Sequence, residues 1–168
     1  MPDSTLLFSE VLDLVHKAKT RSQKVDILRK NNTAAFRMVI KASFDPNIMW
    51  IMPDGDVPFT ANEAPAGTEH TRLATEAKKL YRFIRGGDSV TPRFRLEQMF
   101  IQLLEGLHES EAKLICDAKD KRLHQVYKGL SANVVREAFG WDENFMLIDF
   151  NTYPQGSRSA SGMIDEPL

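Results

Sequence analysis

At 168 residues the chain suits one domain with its own hydrophobic core, and 42% hydrophobic with 27% charged residues is the make-up of an ordinary globular protein. A single cysteine, Cys116, excludes an internal disulfide and suits a reducing compartment; no apolar run is long enough to span a bilayer, and the acidic start Met1-Pro2-Asp3-Ser4 is unlike a signal peptide. The formal net charge of −1 hides an asymmetry: residues 141–168 hold five acids and one base, leaving 21 bases against 18 acids before them, which permits a basic patch without demanding one.

Ser4 or Thr5 can cap a first helix with Leu6, Leu7, Val11, Leu14, Val15 and Ala18 on one side, ending near Lys17 and Lys19, where cations suit the helix dipole. Thr20 or Ser22 can start a second with Val25, Ile27 and Leu28, broken by Asn31-Asn32. Thr33 can cap a third with Phe36, Val39, Ile40 and Phe44 inside. Asp45-Pro46 stops the pattern, because proline disfavours helix at the residue before it. The apolar run Asn47 to Met52 then reads as an extended segment with Trp50 buried, followed by a Pro- and Gly-rich loop of roughly fifteen residues pinned by Phe59.

A fourth helix is predicted from Leu73, Ala77, Leu80, Tyr81 and Ile84, with Lys78, Arg82 and Arg85 sharing its other face at spacings of four and three. Gly86-Gly87-Asp88 ends it, with Arg93 and Arg95 just beyond. Thr91 as N-cap and Pro92 in the first turn start the longest helix, whose Leu96, Met99, Phe100, Leu103, Leu104 and Leu107 make one core face. Gly106 and the run from His108 to Glu111 end it, and a close-packed partner carries Ala112, Ile115 and Ala118. After Lys119 to Arg122, Ser131 caps a last helix whose buried stripe is Leu130, Val134, Val135, Ala138 and Phe139. Beyond Trp141, residues 145–150 form an apolar segment, and 153–162 read as a flexible tail. The expected fold is all-α: a helical domain over 1–140 with an irregular insertion at 45–70, and a C-terminal extension over 141–168.

The turn Gly129-Leu130-Ser131 has an anion-binding rationale. A helix N-terminus offers unpaired amides and a positive dipole end, and a glycine lets a phosphate approach the backbone. The plainer account is an ordinary capped helix start. Lys78, Arg82 and Arg85, with Arg93 and Arg95, suit a sugar-phosphate backbone, against the account that cations near a helix C-terminus are simply favourable and solvated. Phe36, Phe44, Phe94, Phe100 and Phe139 fit helix faces or ends and are expected in the core rather than as base-stacking platforms. Asp13 with His16, and Glu105 with His108, have carboxylate-x-x-His spacing. One acid is an Asp, Gly106 weakens the second motif and no inward Glu pair accompanies them, so no metal site is expected. No nucleophile elbow and no phosphate-binding Gly-Lys-Ser/Thr loop occurs, and neither catalysis nor a cofactor is expected.

The stretches VLDLVHKAKTRSQKVDILRKN (11–31), FDPNIMWIMPDGDVPF (44–59), RLEQMFIQLLEGLHESEAKLI (95–115) and YKGLSANVVREAFG (127–140), in this order, resemble an uncharacterised protein family of T4-like tailed phages. More faintly, KVDILRKN and KGLSANVVREAF resemble the two ends of the helical N-terminal DNA-binding domain of ATP-dependent DNA ligases. That likeness implies a role for Gly129, Leu130 and Ser131 at the DNA backbone, with Lys128 beside them. The ligase Lys-x-Asp-Gly motif has no counterpart, since Asp54-Gly55 follows Met52 where the lysine would stand, so ligation is not expected. The expected role is a non-enzymatic phage accessory protein, cytoplasmic in the host cell with virion association left open, binding DNA or acting beside DNA-processing proteins. The nucleic-acid contacts would be Lys78, Arg82, Arg85, Arg93, Arg95, Lys128, Gly129 and Ser131. The rival is a protein-interaction or virion-associated module contacting phage or host proteins through the long loop and the apolar segment at 145–150. Neither reading involves a membrane.

Overall fold

The computed structural model describes residues 6–62 and 70–148, and among these it is all-α, with isolated backbone bridges in place of strands. The order is α1 (Phe8–Lys17), α2 (Arg21–Lys30), α3 (Ala34–Phe44), α4 (Leu73–Glu76) running into a 3₁₀ helix (Ala77–Phe83), α5 (Arg93–Gly106), α6 (Glu109–Lys119), α7 (Leu123–Val126) and α8 (Ala132–Phe139). No helix among the described residues is long and apolar enough to cross a membrane.

Three caps lie where their residue types suggest: the hydroxyls of Thr20, Thr33 and Ser131 accept the amides of Gln23, Phe36 and Val134. Two others differ. The first helix starts at Phe8 with Leu7 as N-cap, whose amide donates to Glu10, and Ser4 and Thr5 lie outside the described residues. That register buries Phe8, Val11, Leu12 and Val15 and turns Leu14 outward, 46% exposed. At α5 the hydroxyl of Thr91 donates to Asp88, and the Asp88 carboxylate also accepts the amides of Val90 and Thr91. These hydrogen bonds, with the nearby Arg82, hold the Asp88 carboxyl below its ordinary range.

Helix α6 is central, packing on α1, α3 and α5, while α2 packs on α1 and α8. Phe36 sits edge-on between Phe8 and Phe139, at 5.0 and 6.1 Å between ring centres, and Phe100 does the same between Phe83 and Trp50, at 5.0 and 6.3 Å. The core runs past Gly140, which takes the left-handed C-cap conformation of α8, to Trp141 and Phe145. Met146 and Leu147 stand out at 57% and 73% exposed, and Ile148 is half-buried with its amide donating to Gly140; residues 149–150 of the apolar segment and the tail at 153–162 lie outside the described residues.

The buried polar groups tie the helices together. Glu111 in α6 is 1% exposed, and its two oxygens accept the amides of Phe8 (2.9 Å) and Leu73 (3.0 Å), the first helical residues of α1 and α4. One carboxylate thus satisfies orphan donors at two helix starts. Lys119 is buried, with its ammonium on the carbonyls of Pro53 and Gly55 and on Asp120, which fastens the long loop to α6. Thr60 adds a bond to Glu105, and Phe59 is half-buried against the core.

The segment predicted as a fourth α-helix differs in pitch. After one α-turn it tightens to 3₁₀ geometry, in which residues three apart eclipse, so Ala77, Leu80 and Phe83 point inward. Tyr81, expected inside, is 49% exposed. Ile84 then pairs in antiparallel fashion with Trp50, which is half-buried with its indole donating to Ala42, and the amide of Arg85 donates to Met49.

Candidate nucleic-acid interface

A cleft of about 500 Å³ opens where the end of α3 faces α7 and the start of α8. Phe44, Pro46 and Leu130 supply apolar wall; Lys121, His124, Lys128 and Ser131 supply the polar rim. Helix α8 presents its first turn here. Ser131 caps the amide of Val134, while the amides of Ala132 and Asn133, at the first two helical positions, have no intrahelical carbonyl to bond. A negatively charged group in the cleft would meet these donors and the positive end of the helix.

Lys121 reaches the cleft through an unusual backbone. It closes α6 in a left-handed conformation, φ 59°, and the amides of Lys121 and Arg122 bond back to Ala118 and Asp117 in a Schellman arrangement. Glycine is the usual occupant there. The lysine instead carries its ammonium onto the carbonyls of Ala42 (2.9 Å), Asp45 (2.8 Å) and Ile48 (2.6 Å), capping the end of α3. Burial draws its pKa below the ordinary lysine value, against the pull of Asp45. Lys121 therefore builds the cleft wall, and the accessible cations are Lys128 and, when protonated, His124. The His124 ring stands 6.2 Å from Phe44.

Gly129, a candidate for close phosphate approach, faces the other way. A Cβ there would stand 2.8 Å from the carbonyl oxygen of Val15 and press on the Lys24 side chain, so the missing side chain lets the turn lie against the end of α1. His16 completes that contact, its Nδ1 accepting the amide of Lys128 at 2.9 Å. Gly129→Ala is expected to cost about 1–3 kcal/mol of unfolding free energy, through forced movement at Val15. Urea denaturation measures this; an unchanged midpoint would refute the packing role.

The remaining cations separate by pitch. In 3₁₀ geometry Glu76, Lys79 and Arg82 form one row beside Met99 and Gln102 of α5, and Lys78 falls on a different face. Lys79 pairs with Glu76 at 3.0 Å and Arg82 with Asp88 at 3.3 Å, so that row is internally neutralised. Arg85, past the end of the helix, joins a different group. The extended run Ile48 to Ile51 receives Lys121 at the Ile48 carbonyl, the amide of Arg85 at the Met49 carbonyl and Nε of Arg93, at 2.8 Å, at the Ile51 carbonyl. Three peptide units span about 10 Å. This run therefore links the cleft to Arg85 and Arg93, and no ion pair engages Arg85, Arg93, Arg95 or Lys128 among the described residues.

One aromatic departs from its expected place. Phe94, in the first turn of α5 between Arg93 and Arg95, is 67% exposed, and Val90 one turn before it is 89% exposed. The core face of α5 begins only at Leu96, and the ring of Phe94 stands out to solvent at the start of the helix.

The carboxylate-x-x-His pairs serve structural ends: His16 holds the Lys128 turn, and Nδ1 of His108 accepts the amide of Ser110 at the start of α6. Among the described residues no group of three or more His, Cys, Asp or Glu side chains is arranged to hold a metal ion. Burial pushes the Cys116 thiol up to about 11, away from the range of reactive thiolates.

No curated protein and no solved structure matches the chain. A family model does match, over residues 11–125, which takes in most of α1, all of α2 to α6 and most of α7 and includes Lys121 and His124 of the cleft but not Lys128 or Ser131. On that match, which covers more than half of its length, the chain belongs to the family described as a family of unknown function, DUF6433.

Proposed function

We propose that the protein binds nucleic acid without catalysing a reaction, seating a phosphate in the cleft at the start of α8 and guiding the adjoining backbone along the Ile48–Ile51 run to Arg85, Arg93 and Arg95. The observation that carries this reading is the continuity of cleft and run: Lys121 walls the one and is bonded to the other, and unpaired cations stand at both ends. Contacts of this kind are made to the sugar-phosphate backbone and position a protein without reading sequence. The resemblance to proteins of T4-like tailed phages suits an accessory role beside DNA-processing proteins. A second reading, a protein-interaction module, draws on the exposed Met146 and Leu147 beside the buried Phe145.

Hydrogen exchange separates the two. With a single-stranded or duplex oligonucleotide in excess, protection is expected at 47–51, 85–95 and 124–134. No protection with either oligonucleotide, or protection confined to 145–148, would overturn the nucleic-acid reading.

A further inference from the structure

We infer that the nucleic acid this protein takes is single-stranded, with an unpaired base stacked on the ring of Phe94. This rests on the nucleic-acid reading above and adds the strand state to it. A phenyl ring two-thirds open to water leaves apolar surface in contact with solvent. Its neighbours say what covers it. Arg93 and Arg95 flank the ring in sequence, Arg93 is anchored through Nε to Ile51, and the first turn of α5 carries no acid, although an acid is what the positive end of a helix favours. The nearby Asp88 is already engaged by Val90, Thr91 and Arg82.

An apolar protein partner would gain little from this uncompensated positive charge, whereas a single strand offers both complements at once. Its phosphates suit the arginines, and its unstacked bases have free faces for the ring. A duplex keeps its base faces inside the stack and offers the ring none. From Ile51, where Arg93 is anchored, the run leads to Ile48 and Lys121 at the cleft over about 10 Å.

The test compares the full chain with Phe94→Ala and Phe94→Trp, using a fluorescent oligothymidine of roughly twenty nucleotides and a duplex of equal length in anisotropy titrations. Wild type is expected to favour the single strand. Phe94→Ala is expected to weaken single-strand binding about tenfold while leaving duplex binding, the salt slope and the melting temperature unchanged. Phe94→Trp is expected to keep the affinity, with tryptophan fluorescence quenched by the strand more strongly than in wild type. If wild type binds nucleic acid but Phe94→Ala binds the single strand as tightly, stacking is refuted and the nucleic-acid reading survives. Equal losses on both probes would also refute stacking. No binding to either probe removes both. Self-association of wild type in light scattering, abolished by Phe94→Ala, would assign the ring to a protein contact instead.

Discussion

Replacing Glu111 by alanine is expected to lower the unfolding free energy by about 3 kcal/mol, a large share of what a domain of this size possesses. The variant would remove a buried acceptor shared by the first amides of α1 and α4 and leave both donors without a partner in a closed space. Glu111→Gln keeps the shape and one acceptor oxygen but turns an amide group toward one of the two donors, so a loss of about 1–2 kcal/mol is expected. pH supplies a second signature. Burial raises the Glu111 pKa above its ordinary value, outweighing the two amide bonds that lower it. The folded state therefore holds this proton more tightly than the unfolded state. The stability from this group is fully present below the unfolded pKa and is lost as pH rises through the folded one. The gap between wild type and Glu111→Gln should narrow as pH is raised from about 4 to about 7. Urea melts across that range measure it, and a gap that widens would contradict the assigned environment.

Reversing charge at Lys128 and Arg85 together is expected to weaken nucleic-acid binding by at least about tenfold near 0.1 M salt, equally for unrelated sequences. Lys128 stands at the cleft and Arg85 where its amide meets Met49 of the adjoining run, and neither is spent on an ion pair among the described residues. With two phosphate contacts removed, the plot of log affinity against log salt should become shallower by about 1.4 for a single strand and about 1.8 for a duplex. Lys78→Glu is the control, since Lys78 lies off this path, and it should change little. A Lys78 effect equal to that of the double variant would mean that bulk charge, and no particular surface, governs binding.

The regular helices were legible because their chemistry is local. The run from Leu96 to Leu107 repeats at the α-period, and Thr20, Thr33 and Ser131 each stand before an apolar stripe. The 3₁₀ helix was not, because Leu73, Ala77, Leu80 and Ile84 also satisfy an α-period, and only packing against α3 and α5 favours the tighter register with Phe83 inside. That difference in pitch redistributed the cations, moving Lys78 off the face of Arg82. Glu111 falls in the run that ends α5, and Lys119 and Lys121 in the charged segment after α6's apolar stripe, yet their backbone partners lie 38 or more residues away in sequence, where no local pattern reaches. Ser131 was singled out from helix-start chemistry, and Lys128 from the likeness to the ligase domain. Lys121 and His124 were missed, since nothing in the run from Lys119 to His124 announces that the end of α3 lies opposite. Phe94 misled because a phenylalanine at a helix start usually finds a neighbour to pack against.

The most direct test is a titration of wild-type protein with single-stranded and duplex DNA by anisotropy, repeated between about 50 and about 200 mM salt. Measurable binding at low salt is expected, with log affinity falling linearly against log salt, no dependence on base sequence, and tighter binding to the single strand. Absence of binding to either form at about 50 mM salt, or an affinity indifferent to salt, would contradict the account.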